Sequence, residues 1–136
     1  MFGYIFDTTM LVSLGRGDHG PAALLASLHD RDIRVCVPVL TLSYAFTELP
    51  AEQHGELLGI IVAMSNTAVE PLTDAVDALE LADILARIPD SPAAAHVLAA
   101  ARKQDMEIVT LDTARWRDLE QQLQCRIPLV ELTDEP

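Results

Sequence analysis

Short apolar segments alternate with longer stretches of helical pattern along the chain, and this alternation restricts the folds that are open to it. Most of these segments are rich in β-branched or aromatic residues, which is typical of buried strands. The predicted strands cover residues 3–6, 33–37, 68–72, 107–111 and 127–132. Because strands separated by helices pair in parallel and need cover on both faces, we predict a three-layer α/β/α fold with a mainly parallel central sheet.

Capping residues and prolines mark the helices between the strands. Ser91 followed by Pro92 is an N-cap with proline at the first helical position, and Thr41 is a candidate cap for another helix. Pro71 interrupts the third strand, which predicts a position near an edge of the sheet. The predicted helices are a short one that ends at residue 14, followed by 21–29, 41–49, 51–64, 74–88, 92–104 and 113–123.

Length, composition and charge narrow the class of protein. The chain has 136 residues and is 50% hydrophobic, enough for one continuous core, so we expect a single domain over residues 1–136. Aromatic residues make up only 4% of the chain, too few for a surface on which RNA bases stack. The net charge of −12 repels polyanions, so any RNA site must be local and nonspecific adhesion to nucleic acid is disfavoured.

Several features predict a cytoplasmic protein that does not enter a membrane. The first six residues contain no basic side chain and Asp7 follows them, unlike a signal peptide. No apolar run reaches the roughly 18 residues that span a bilayer. Cys36 and Cys125 form no CxxC pair, so we expect two reduced thiols and neither a zinc site nor a redox motif.

Two predicted strands, one near each end of the chain, finish on aspartate. These aspartates are Asp7 and Asp112. Ligands of open α/β sheets bind where the carboxyl ends of the strands meet, so the two side chains are expected to converge there. Their hard oxygen atoms suit Mg²⁺ or Mn²⁺, which can polarise a phosphoryl oxygen and activate water. An aspartate after a strand is also a common helix cap, and that alternative stays open.

The segments around these aspartates resemble the motifs of the PIN domain family. Residues 5–11, Ile-Phe-Asp-Thr-Thr-Met-Leu, are similar to its first motif, and residues 108–112, Ile-Val-Thr-Leu-Asp, are similar to its last. Residues 37–42 resemble the entry to its second acidic position. The resemblance covers essentially the whole chain and implies a three-layer α/β/α fold. It also implies a magnesium-dependent ribonuclease ancestry, often as the toxin that pairs with an antitoxin.

The chain departs from the PIN pattern at two of four acidic positions. The position in the helix after the Pro-containing strand is Tyr44, and the position in the first turn of the Ala-rich helix is Ala94. Of the four acids, the resemblance therefore implies that only Asp7 and Asp112 remain as metal ligands. It also implies that the hydroxyl of Thr110 supports these ligands without binding the metal itself. Glu48 and Asp90 are candidate supplementary ligands. Losing two anionic ligands predicts a degenerate site with weakened or lost ribonuclease activity.

A histidine and several basic residues are further candidates near the predicted site. Residues 94–97, Ala-Ala-His-Val, resemble a branch of PIN-like proteins that lacks the acid in this helix. His96 is a candidate ligand or base, although a packed histidine is the more common role of a lone one. Arg115 and Arg117 are candidate RNA contacts or ion-pair partners on the helix surface. For Trp116, core packing is favoured over base stacking.

A noncatalytic interaction module built on the PIN fold is the alternative, either with a protein partner such as an antitoxin or as a homodimer. The missing acids and the negative charge favour it. The apolar side chains of the helix over 51–64 either supply a contact face or cover the sheet; they are Leu57, Leu58, Ile60, Ile61 and Met64. A phosphate-binding α/β domain of another kind has no support, because no Gly-rich phosphate loop follows a strand.

Overall fold

The computed structural model describes residues 3–132, and these form a regular alternation of strands and helices. The strands are β1 Gly3–Phe6, β2 Arg34–Pro38, β3 Thr67–Glu70, β4 Glu107–Thr110 and β5 Leu129–Glu131. The helices are α1 Thr8–Gly15, α2 His19–Asp30, α3 Val39–Glu48, α4 His54–Ala63, α5 Ala75–Leu85, α6 Pro92–Gln104 and α7 Thr113–Leu123. A 3₁₀ turn, Ala51–Gln53, leads into α4.

The five strands form one sheet in the order β3-β2-β1-β4-β5, and every pair in it is parallel. The mainly parallel sheet predicted from the sequence is confirmed. β3 lies at an edge, as predicted, but it spans Thr67–Glu70, so Pro71 follows the strand and does not interrupt it. In the centre, β1 pairs with β4 so that Phe6 lies opposite Val109. The residues that follow β1 and β4 therefore leave the sheet side by side, at its carboxyl end.

Each face of the sheet packs against its own group of helices. Ile5 and Ile108 point into a core shared with α5, α6 and α7. Their neighbours Phe6 and Val109 point into a second core, shared with α1, α2, α3 and α4. Successive side chains of a strand point to opposite faces, which is why two short strands serve both cores. The three-layer α/β/α arrangement is thus confirmed.

The predicted starts of α2, α3 and α4 were wrong by a few residues; α4 begins at His54 rather than at residue 51. Thr41 does not cap α3: the helix begins at Val39, directly after β2, and Pro38 is its N-cap. Thr41 is fully buried inside α3. Pro21 is the third residue of α2 and not its first. α1 is capped by Asp7, which is the alternative left open for an aspartate after a strand, because its carboxylate accepts a hydrogen bond from the backbone N–H of Met10.

The last strand is shorter than predicted, and residues 1–2 and 133–136 lie outside the described part of the chain. Within residues 3–132, no helix has the length and apolar content needed to cross a bilayer. Both cysteines are free thiols; Cys36 is buried and Cys125 is exposed. Burial raises the pKa of Cys36 to about 12, so its thiol stays protonated and works as a small core side chain.

Candidate functional site

A cleft of about 380 Å³ opens at the carboxyl end of the central strands. Its walls come from the turns after β1 and β4, from α3 and from the start of α6. Four carboxylates line it, and they are the four acids singled out in the sequence: Asp7, Glu48, Asp90 and Asp112. The predicted convergence of both ends of the chain on one site is therefore observed.

Asp7 lies on the floor of the cleft and is only 4% exposed. One carboxylate oxygen, Oδ1, accepts hydrogen bonds from the hydroxyl of Thr9 at 2.6 Å and from the backbone N–H of Met10 at 3.1 Å. The other, Oδ2, accepts a hydrogen bond from the indole N–H of Trp116 at 2.8 Å. Three protein donors thus satisfy this carboxylate, and the bond to Trp116 ties α1 to α7.

Asp112 is exposed and caps α7, since its Oδ1 accepts a hydrogen bond from the backbone N–H of Arg115 at 3.2 Å. Thr110 is fully buried behind it and accepts a hydrogen bond from the Asp112 N–H at 2.9 Å. The Thr9 hydroxyl oxygen accepts from the backbone N–H of Leu111 at 3.0 Å. Thr110 therefore supports the turn after β4 from below and does not line the cleft.

Glu48 and Asp90 lie at the exposed rim of the cleft, at the end of α3 and just before α6. Among residues 3–132, no three His, Cys, Asp or Glu side chains lie close enough together to hold a metal ion. Asp7 already accepts three hydrogen bonds, which leaves little capacity for a cation. The described side chains therefore do not compose a divalent-metal centre of the kind the resemblance implies.

Tyr44 and Ala94 both line the cleft, together with Asp7 and Asp112. These are the positions at which the resemblance implies two further acids. Tyr44 is 43% exposed and presents an aromatic ring, while Ala94 is buried and carries only a methyl group. Neither of these two cleft-lining residues supplies an anionic ligand.

The two candidate RNA-contacting arginines separate in the structure. Arg115 lines the cleft, and its guanidinium donates a hydrogen bond to the Ser91 hydroxyl at 3.2 Å. Arg117 is not among the cleft-lining residues; it pairs with Glu120 at 2.9 Å, one turn further along α7. Trp116 is 3% exposed and packs in the core, as predicted. Its hydrogen bond to Asp7 went unpredicted, because the residues are 109 positions apart in sequence.

His96 lies on α6 but is not among the residues that line the cleft. It is only 2% exposed, and its Nδ1 accepts a hydrogen bond from the backbone N–H of Leu40 at 3.3 Å. Burial is the largest influence on this imidazole and lowers its pKa, which favours the neutral form. Its position agrees with a packed histidine and not with a ligand at the acidic cleft.

The sequence matches no protein-family model and no curated protein, but the fold is similar to chains of solved complexes. The crystal structure of VapBC2 from Rickettsia felis bound to a DNA fragment from their promoter contains a chain that is 14% identical, with a TM-score of 0.63. That likeness covers 96% of this chain and 98% of the other.

Two further complexes contain similar chains. FitAB bound to the IR36 DNA fragment gives 16% identity and a TM-score of 0.58, with 94% of each chain covered. DNA-bound VapBC from Salmonella typhimurium gives 15% identity and a TM-score of 0.59, over 96% of this chain and 98% of that one. VapBC and FitAB are toxin–antitoxin complexes with PIN-domain toxins, so the chain has a PIN-like fold, as the motifs predicted.

Proposed function

We propose that this chain is a relative of metal-dependent ribonuclease toxins that pairs with an antitoxin-like protein and has lost efficient RNA cleavage. The fold it shares with chains of VapBC and FitAB complexes supports the relationship and the kind of partner. The observation that carries the loss of activity is the presence of Tyr44 and Ala94 in the cleft, at positions where the resemblance implies acids.

The remaining carboxylates are a poor substitute for the missing ones. Mg²⁺ or Mn²⁺ would depend on Asp7 and Asp112, with Glu48 and Asp90 as supplements from the exposed rim. Mg²⁺ gives up its water reluctantly and needs near-octahedral oxygen ligands, so weak and scattered anionic ligands hold it poorly. Arg115 adds a cation to the same cleft and opposes a bound metal ion, although it suits contact with an RNA phosphate.

Restoring the two acids tests this proposal. We expect no saturable Mn²⁺ or Mg²⁺ binding by the wild type below millimolar metal, by calorimetry, and RNA cleavage at background level. The double variant Tyr44→Glu/Ala94→Asp is expected to bind Mn²⁺ and to cleave RNA faster than the wild type, on the order of a hundredfold. Adding Asp112→Asn should remove both gains, because the exposed Asp112 is then no longer an anionic ligand.

The matched control adds the same two charges elsewhere. Val62 and Val76 are 76% and 62% exposed on α4 and α5, so Val62→Glu/Val76→Asp lowers the net charge equally without touching the cleft. It should show the metal binding and RNA cleavage of the wild type; because Val76 also lies in the apolar surface considered below, Val62→Glu/Ala26→Asp, with Ala26 exposed on α2, repeats the control away from that surface. Saturable metal binding and RNA cleavage by the wild type, both lost in Asp112→Asn, would instead mean that the four carboxylates lining the cleft of the present chain suffice for catalysis.

Self-association through the sheet edge is the second candidate function, and exposed apolar residues favour it. The apolar residues of α4 differ in their exposure. Leu57 and Ile61 are buried against the sheet, while Leu58 is 52% exposed. A second set follows the chain from the edge strand β3 into α5, and we name it the edge surface: Val69, Leu72, Val76 and Leu79, which are 37% to 65% exposed. An uncovered edge strand beside exposed apolar side chains is a common site of strand pairing.

Light scattering over a range of protein concentrations tests the homodimer. We expect the wild type to reach the mass of a dimer and Val76→Lys to stay a monomer, because an ammonium group cannot be buried in an apolar contact. Val62→Lys on α4 is the matched control and should dimerise as the wild type does. A wild-type monomer at every concentration, or equal loss of the dimer in both variants, would remove the edge surface as the interface.

A further inference from the structure

His96 supplies a hydrogen bond that the sequence of α3 cannot supply for itself. The first N–H groups of a helix have no partner inside it and are usually satisfied by the side chain of the N-cap residue. The N-cap of α3 is Pro38, which has no polar side chain. Leu40, the second residue of α3, donates its N–H to Nδ1 of His96 at 3.3 Å. A histidine of α6 thus caps α3 from outside.

The same two helices both line the cleft. α3 contributes Tyr44 and Glu48, and α6 contributes Ala94 from its first turn. A second cross-link lies beside the first: the fully buried Thr41 hydroxyl donates to the backbone carbonyl of Ala93 at 3.2 Å. These two hydrogen bonds fix where α3 starts relative to α6, and hence how far apart the walls stand.

The cap requires a neutral imidazole. Nδ1 accepts a hydrogen bond only when it carries no proton, so the proton of the neutral ring must be on Nε2. Protonation of Nδ1 would remove the acceptor and set two donors against each other. It would also put a positive charge at the N-terminus of α3, where the helix dipole disfavours cations. Burial already lowers the pKa of His96 and so favours the neutral ring.

Charged groups surround the other side of His96. Glu70 at the end of β3, Asp77 and Glu80 of α5, and Lys103 of α6 line a small pocket with it. Lys103 bridges the Glu70 carboxylate at 3.5 Å and the Asp77 carboxylate at 3.3 Å. The two acids raise the pKa of His96 and Lys103 lowers it, but desolvation by burial outweighs each of them. On β2, the protonated Cys36 thiol contributes no charge.

We infer that His96 is a pH-sensitive latch, which caps α3 from α6 at neutral pH and releases the two walls of the cleft when it gains a proton. The inference rests on the contacts between α3 and α6 and does not depend on whether the cleft binds metal or cleaves RNA.

The sign of the pH dependence follows from proton linkage. The pKa of His96 is lower in the folded chain than its ordinary value of 6.5. Below about pH 6.5, His96 of the unfolded chain therefore binds a proton that His96 of the folded chain does not yet bind. The stabilisation by the neutral cap is complete above about pH 6.5, the ordinary pKa of histidine. It is lost as the pH falls from there toward the lowered pKa of His96 in the folded chain. Over this window one proton changes the unfolding equilibrium constant by up to about tenfold per pH unit.

Urea unfolding at pH 7.5, 6.5 and 5.5 tests the latch in three proteins. His96→Asn keeps an acceptor, because Oδ1 of asparagine takes the place of Nδ1, but it cannot titrate. His19 is exposed, so His19→Asn is the matched control for loss of a histidine. We expect the wild type and His19→Asn to lose stability in parallel below pH 6.5, and His96→Asn to lack that component. An unchanged pH dependence in His96→Asn would overturn the inference.

Two measurements on the intact wild type decide the question even if His96→Asn does not fold. ¹⁵N imidazole shifts at pH 7.5 should report a neutral ring with the proton on Nε2; a proton on Nδ1 would overturn the cap. Acrylamide quenching of Trp116, the only tryptophan and a cleft-lining residue, should increase over the pH range below 7.5 in which the ¹⁵N shifts show His96 gaining a proton, while the chain is still folded. Unchanged quenching while His96 titrates would show that the walls do not separate.

Discussion

Replacing Asp7 by alanine is expected to lower the free energy of unfolding by about 3 kcal/mol, since it removes a helix cap and leaves buried donors without an acceptor. The N–H groups of Met10 and Trp116 both lose their partner. The Thr9 hydroxyl has an alternative, because the Thr110 hydroxyl is 3.5 Å away. Urea unfolding at pH 7 measures the change.

Asp112→Ala is the control for this experiment. Asp112 also caps a helix after a strand, but it is exposed and accepts one hydrogen bond from the backbone of Arg115. Its loss is expected to cost about 1 kcal/mol. Equal losses in the two variants would mean that the buried hydrogen bonds of Asp7 contribute little to stability.

The structure of Asp7 also bears on how metal binding is tested. Asp7→Asn is the usual substitution for removing a metal ligand. It replaces one carboxylate oxygen, which accepts a hydrogen bond from an N–H or O–H donor, by an NH₂ group. Two donors then face each other in a buried site, at a cost in stability. Loss of activity in Asp7→Asn would therefore mix a structural effect with a chemical one. Asp112→Asn avoids this because its side chain is exposed.

Local patterns in the sequence were enough to predict the sheet and the place of the cleft. The apolar segments gave the strands, and parallel pairing follows from the helices that separate them. Once β1 and β4 are neighbours in a parallel sheet, Asp7 and Asp112 must emerge at the same end of it. Motif spacing also pointed to Tyr44 and Ala94, which both line that cleft; α3 begins directly after β2, and α6 ends shortly before β4.

Contacts between residues that are far apart in the chain were not predicted from the sequence. Asp7 was considered as a metal ligand or as a helix cap; its bond to Trp116 depends on how α7 packs over the turn after β1. Likewise, Thr41 was expected to cap a helix that in fact begins two residues earlier, and nothing local indicated that His96 caps it instead. Such pairings depend on the packing of two helices on one sheet, which a one-dimensional pattern does not encode.

Trp116 is expected to contribute more to the free energy of unfolding than any other cleft residue. It packs in the core, and its indole N–H also donates a hydrogen bond to Asp7. Trp116→Ala removes the whole ring from a site that is 3% exposed and should lower the free energy of unfolding by about 4 kcal/mol. Trp116→Phe keeps an aromatic ring but loses the indole N–H, and should cost about 2 kcal/mol. Far-ultraviolet circular dichroism follows unfolding in urea without relying on tryptophan fluorescence.

A double-mutant cycle isolates the bond between Trp116 and Asp7. If the 2.8 Å hydrogen bond holds α7 against α1, the effect of Trp116→Phe should shrink in the Asp7→Ala background by about 1 to 2 kcal/mol, since the acceptor has already gone. Thr9→Val combined with Trp116→Phe serves as a comparison, because Thr9 binds the other oxygen of the same carboxylate. Additive losses for Asp7 and Trp116 would mean that packing alone joins the two helices. A large coupling would mean that the Asp7 carboxylate, at a position where the resemblance implies a metal ligand, works as a structural link between α1 and α7.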